Sequence, residues 1–249
     1  MSTIQPRDLT CPYCDKAFSG WLVLASPSRG PKSSDLRQFD DAEDPLPKQL
    51  DACPGCGFVG EVSEFEEHAV PADRVVRADR AGAFYSQDDW DDAHDPMLVE
   101  RPEAAPFGQL VTAHLTPAKE RALADAAFRY EQHAQVRRWR GDGPLREGDC
   151  WLRAAWLHGD AGRADDERRC RQRAVGCYRQ GVQEREWFKR REDLVVIAYL
   201  CGELHRRLDE ADEAQRWFEQ AVAWSSGLPH MQELVELAER QARDPRDVV

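Results

Sequence analysis

Two stretches of this chain place a proline directly after a cysteine and a second cysteine two residues further on: Cys11-Pro-Tyr-Cys14 and Cys53-Pro-Gly-Cys56. In each, the spacing lets a tight turn aim both sulfurs at one point, with backbone N–H groups free to hydrogen-bond them. Two such knuckles supply four sulfurs, the complete tetrahedral shell of one structural zinc ion, Zn(2+). The 38 residues between Cys14 and Cys53 exceed the spacing of a compact ribbon, which is about 15 to 20. A longer insert is tolerated, because loop-closure entropy grows slowly with length. Four cysteines fill the shell and leave no open position for chemistry, so the expected ion holds structure only. Iron is the alternative for the same donors, as in rubredoxin-like electron carriers. Asp15, where a second small turn residue is expected, counts against iron. A thioredoxin-like redox pair needs a βαβ pattern nearby, and none is visible.

The charge is unevenly spread along the 249 residues. Residues 1–70 carry six basic and twelve acidic side chains, residues 71–115 four and nine, and residues 116–249 a near balance of 24 and 25. This divides the chain into a zinc ribbon (1–70), an acidic connector (71–115) and a helical domain (116–249). The ribbon has few aliphatic residues, and a structural zinc site supplies on the order of 10 kcal/mol to such a segment. Mean hydropathy is −0.70, and no apolar run reaches the length of about 18 residues that a membrane span requires. The N-terminus lacks the apolar core of a secretory leader, so a cytoplasmic location with reduced thiols is expected. The connector stretch "SQDDWDDAHDPMLV" lacks the glycine and final glutamate of a calcium loop. It reads as a solvated acidic linker carrying Trp90, Met97 and Leu98 as a docking element. His68 reads as a surface residue, since four cysteines already complete the shell.

Beyond residue 115 the pattern becomes helical. Thr116 as N-cap and Pro117 at the first position open a run in which Leu123, Ala127, Tyr130 and Ala134 share a face. "GDGP" at 141–144 ends it. Further helices are predicted over Glu147–His158, Arg163–Trp187, Asp193–Leu208, Glu210–Ser225 and from Pro229 to Gln241. Cys150, Cys170, Cys177 and Cys201 fall on their apolar faces and read as small core residues. Trp139, Trp151, Trp156, Trp187, Trp217 and Trp224 read as packing groups. Gly202 is followed at +12, +16 and +19 by Ala214, Phe218 and Ala221. That is the tetratricopeptide spacing, in which a small residue on one helix meets small and aromatic residues on the next. Ala174, Tyr178 and Gly181 repeat the second-helix part at an irregular offset. The predicted fold is therefore a small β zinc ribbon followed by an all-α, tetratricopeptide-like set of helical hairpins.

The run "LTCPYCDKAF…SSDLRQFDDAEDPLPKQLDACPGCGFVGEVSEF", together with "YLCGELHRRLDEADEAQRWFEQAV", resembles an uncharacterised bacterial family that joins an N-terminal zinc ribbon to tetratricopeptide-like helices. The resemblance implies that fold and a cytoplasmic protein, and it implies no reaction. Asp15 and the long acidic link depart from the family pattern.

Helical repeats of this kind hold a protein or peptide partner on the concave face of their first helices. The Gly202 register turns Tyr199, Glu203 and Arg206 to that face, with Arg207 beside them, and these four form the candidate partner-binding patch. Nucleic acid is the alternative partner. Its basic clusters would be Arg137, Arg138 and Arg140; Arg168, Arg169, Arg171 and Arg173; Lys189, Arg190 and Arg191. All are interleaved with acids, and the ribbon itself is net −6, which disfavours phosphate binding. No phosphate-binding glycine loop, nucleophile elbow or metal-protease helix is present. The sequence thus predicts a non-catalytic, zinc-binding adaptor.

Overall fold

Each cysteine knuckle sits at the turn of an antiparallel pair of strands. The computed structural model describes residues 3–25, 30–39, 44–66, 74–76, 98–100, 114–184, 188 and 190–248. Strand β1 (Thr3–Thr10) pairs with β2 (Ala17–Ala25), with Thr10 opposite Ala17, so Cys11–Lys16 form the turn. Strand β3 (Asp51–Ala52) pairs with β4 (Val59–Gly60) around the second knuckle, and a short helix α1 (Val62–Glu66) follows. In the connector, β5 (Arg74–Val76) pairs with β6 (Leu98–Glu100). His68, Trp90, Met97, Trp187 and Lys189 lie outside the described residues.

Among the described residues seven α-helices follow: α2 (Thr116–Ala124), α3 (Ala126–Arg140), α4 (Pro144–Asp160), α5 (Ala164–Glu184), α6 (Arg191–Arg207), α7 (Ala211–Trp224) and α8 (Gln232–Arg243). The sequence predicted one helix where the structure has α2 and α3. Asp125 explains the break: its backbone is extended, and its side chain accepts from the N–H of Ala127 and of Phe128. An aspartate that caps a new helix cannot also continue the old one. The break shifts the phase, so Ala127, Tyr130 and Ala134 are buried whereas Leu123 is exposed. Helix α4 begins three residues earlier than predicted, because Pro144 takes the first helical position, where its missing N–H costs nothing.

Consecutive helices pack as antiparallel neighbours, α4 on α5 and α6 on α7. A Cβ on Gly202 would stand 2.6 Å from the Phe218 ring, so the close approach implied by the +16 spacing is present. In the preceding hairpin the glycine against the aromatic ring is Gly148, whose Cβ would stand 2.7 Å from Tyr178. The two hairpins therefore pack in different registers. Cys150, Cys170, Cys177 and Cys201 are buried free thiols, and burial pushes Cys170 and Cys177 up to about 12.

The ribbon docks on these helices. Leu46, Leu50, Ala52 and Val59 share one core with Tyr130, Trp151, Leu152 and Leu200. Leu9, Phe58 and Phe65 form a second with Leu115 and Val136. A third joins Tyr199, Phe218 and Leu237 across α6, α7 and α8. No helix among the described residues is long and apolar enough to cross a membrane.

Candidate functional site

The two knuckles have the same backbone. The N–H of Asp15 donates to the Cys11 carbonyl at 3.0 Å and that of Gly57 to the Cys53 carbonyl at 2.9 Å. The N–H of Cys11 reaches the Lys16 carbonyl, and that of Cys53 the Phe58 carbonyl. The residue after each second cysteine is left-handed, with φ of 57° at Asp15 and 79° at Gly57. Aspartate tolerates that conformation at an exposed turn. At Gly57 only glycine fits, since a Cβ would meet the Leu115 carbonyl oxygen at 2.4 Å. The departure at Asp15 is thus harmless to the first turn.

This geometry brings the sulfurs of Cys11, Cys14, Cys53 and Cys56 within 4.8 Å of one another. Cys11 and Cys56 approach to 3.6 Å, and Cys14 and Cys53 to 3.5 Å. A tetrahedral zinc site with Zn–S bonds of about 2.3 Å has sulfur–sulfur edges of about 3.8 Å. The four cysteines are free of disulfides. Hydrogen bonds from Cys11 and Cys56, and from the N–H groups of Cys56 and Gly55, push the Cys53 thiol down, while the contacts with Cys53 and Cys56, and burial, push Cys11 up. Four sulfurs so close cannot all be thiolates unless a cation joins them. The residues therefore fit a metal ion held by four sulfurs. Around them stand Tyr13, 4.7 Å from Phe58, and Phe18 and Phe58, each 5.2 Å from Phe65.

Glu131, His158 and Cys170 form a second close group of metal-ligating types. Two of its three donors are already committed. His158 Nε2 meets Glu131 at 2.8 Å, its Nδ1 accepts from Arg163, and Arg169 forks onto both Glu131 oxygens. This is a buried ion-pair network linking α3, α4 and α5.

A carboxylate fixes the ribbon to the helices. Glu64 of α1 is buried against α3, where it meets His133 Nε2 at 2.9 Å, Arg137 at 3.7 Å and Arg140. These cations hold Glu64 well below the usual carboxylate range despite its burial. Glu64 in turn raises His133 to about 9. Sequence reasoning missed this clamp, because a single glutamate in "EVSEF" carries no signal of its partners.

The structure also gathers Tyr199, Glu203, Arg206 and Arg207, and it places a loop of the chain itself on them. Tyr199 OH donates to the Ser34 carbonyl at 2.6 Å, and Ser34 Oγ donates to Glu203 at 2.5 Å. Arg206 and Arg207 both bond Glu203, and Arg206 also pairs with Asp247 near the C-terminus. Ser33 bridges to Val248, tying the loop to the tail. The next residues of the loop cross to α4: Asp35 accepts from Trp156 Nε1 at 2.9 Å, and Arg37 forks onto Asp160. Tyr199 and Glu203 are 0 % exposed. Ser33–Arg37 is part of the run that resembles the family, but nothing local in it reveals where it docks.

Several arginines of these clusters pair within the molecule. Arg137 pairs with Asp142, Arg138 with Glu147, Arg140 with Glu64, Arg168 with Asp209, and Arg171 with Glu167. Arg173 lies over the Trp151 ring at 4.5 Å.

No curated protein and no solved structure matches the chain. A family model does, and it spans both the knuckles and the helices. The chain belongs to the bacterial family described as "Uncharacterized protein conserved in bacteria (DUF2225)", whose model matches residues 4–246.

Proposed function

We propose that this protein is a non-catalytic adaptor, in which one zinc ion on Cys11, Cys14, Cys53 and Cys56 sets the shape of the ribbon and the helical domain receives a protein or peptide partner. The metal reading rests on the four-sulfur donor set and on sulfur spacings close to a tetrahedral edge. The Gly202–Phe218 approach supports reading α6 and α7 as tetratricopeptide-like.

One observation carries the partner reading: the helices already grip a stretch of polypeptide. Tyr199 takes a backbone carbonyl, Glu203 a serine hydroxyl, Trp156 a carboxylate and Asp160 a guanidinium of the segment Ser33–Arg37. These are the contacts with which a groove reads a peptide. Since that segment belongs to the chain, Tyr199 and Glu203 act as its anchors. A partner meets the helices at this rim, where Arg206 and Arg207 are partly exposed.

Affinity capture with the metal-loaded chain tests this, comparing wild type with Arg206→Glu. A partner enriched by wild type, lost with the variant and recovered by Arg206→Lys, which keeps a positive charge beside Glu203 and Asp247, supports the reading. Equal capture by both proteins removes the rim from the partner site.

A further inference from the structure

Asp247 and Val248 lie against the end of α6 in the manner of a bound peptide. The Ser34 N–H donates to the Asp247 carbonyl at 3.0 Å, and Ser33 forms an antiparallel bridge with Val248. The Asp247 carboxylate stands 2.6 Å from Arg206 and 3.6 Å from Arg207. Main-chain pairing to an edge, with one side chain on a charged site, is how an extended segment adds to a folded surface. The bond from Arg206, and then the charge of Arg207, hold the Asp247 carboxyl below its usual range, so the rim favours an ionised acid.

This contact is light compared with what surrounds it. The buried Gln241 fixes Arg246 through two bonds, donating to its carbonyl at 2.7 Å and accepting from its N–H at 2.8 Å. Beyond that anchor, Asp247 is 70 % exposed and Val248 61 % exposed. An ion pair so open to water changes an equilibrium by about fivefold or less. Asp247 and Val248 can therefore leave the rim while Arg246 stays in place. Glu203, on the inner side of the same arginines, is fully buried and takes its bonds inside the fold. Arg206 and Arg207 thus hold a fixed inner carboxylate and an exchangeable outer one.

We propose that the outer position is the partner site, that its ligand is an extended acidic segment of a partner protein, and that Asp247 occupies it as an internal competitor. The incoming segment places Asp or Glu on Arg206 and Arg207, and the carbonyl of the same residue on the Ser34 N–H. The next residue takes the place of Val248, whose exposure leaves that position free to vary. The tethered tail competes at an effective concentration on the order of millimolar, so a partner displaces it only with further contacts of its own. The inference rests on the adaptor reading, and it names the chemistry of the partner and what guards its site.

An NMR titration of the isotopically labelled, metal-loaded full chain tests it, read at the Ser34 N–H and the Arg206 Nε–H. The probe is a peptide copying residues 244–248 with both ends capped, beside the same peptide carrying asparagine at the place of Asp247. The expected result is saturable shifts at both groups with the acidic peptide, with about fivefold tighter binding to Asp247→Ala than to wild type. The asparagine peptide should show no such gain. If Asp247→Ala does not fold, Asp247→Asn carries the comparison. Equal affinity in wild type and variant, equal affinity for the two peptides, or no shift at either group overturns the inference. The adaptor reading then still stands if Arg206→Glu abolishes partner capture, and falls as well if capture is unchanged. Shifts that grow with protein concentration alone also overturn the inference and assign the position to the tail of a second copy.

Discussion

Replacing Glu203 by alanine strips the charge at the centre of the loop–helix junction. Its carboxylate is 0 % exposed and takes bonds from Ser34 Oγ at 2.5 Å, Arg206 Nε at 3.0 Å, Arg206 Nη2 at 2.7 Å and Arg207 Nε at 2.7 Å. Removing one member of a buried ion pair costs about 3–5 kcal/mol, because the remaining charge stays buried without its counter-ion. Two arginines lose theirs here, although Asp247 partly compensates, at 2.6 Å from Arg206 and 3.6 Å from Arg207. The lower half of the range, about 3–4 kcal/mol, is therefore expected. For a chain of this length that lowers the midpoint of thermal unfolding by on the order of 10 °C. Denaturant unfolding of the metal-loaded protein measures it, with Asp247→Ala as the internal comparison. Asp247 is 70 % exposed, so its loss should cost no more than about 1 kcal/mol. A Glu203→Ala cost below about 1 kcal/mol would refute the claim that this carboxylate fastens the loop to α6. An equal cost at Asp247 would refute the assignment of the charge centre.

Three further outcomes concern the clamp, the knuckles and the α6–α7 contact. His133 titrates near 9 in the folded protein against an ordinary 6.5, so its pairing with Glu64 stabilises in full below about 6.5 and is lost as pH rises through about 9. Glu64 has the opposite sign: its contribution is present above its ordinary 4.5 and lost as pH falls through its lowered folded value. Melting temperatures across pH should show both losses in wild type and a flatter alkaline limb in Glu64→Gln; an identical alkaline limb sinks the clamp. Gly57→Ala should destabilise by more than the roughly 1–2 kcal/mol of left-handed strain alone, owing to the Leu115 carbonyl. Asp15→Gly should stay within about 0.5 kcal/mol of wild type, and equal effects in chemical unfolding would contradict the distinction between the knuckles. Gly202→Ala should cost about 1–3 kcal/mol by overpacking Phe218, and an unchanged unfolding midpoint would mean the helices can separate there freely.

The knuckles and the helical faces were legible because their signals are local. A two-residue cysteine spacing and apolar steps of three and four are written within a few turns of chain. The break at Asp125 was less visible: aspartate inside a helical run reads as a neutral surface residue until its side chain is seen capping Ala127 and Phe128. The loop Ser33–Arg37 was illegible for a different reason. Its anchors on α6 lie 165 to 173 residues away, and no periodicity links serine, aspartate and arginine in one loop to a tyrosine and a glutamate so remote. The Gly202 register did place Tyr199, Glu203 and Arg206 together, but sequence could not tell that the first peptide to reach them is the chain's own.

The central claim is that four cysteines, contributed by two turns 38 residues apart, close around one structural zinc ion. Elemental analysis of protein purified without added metal, read beside its visible spectrum, tests it most directly. The account predicts one zinc per chain, no colour, and loss of the metal in Cys11→Ser or Cys56→Ser. Iron with a red absorbance would make the centre a redox site and contradict the structural role, and a metal-free, fully folded protein would contradict the site itself.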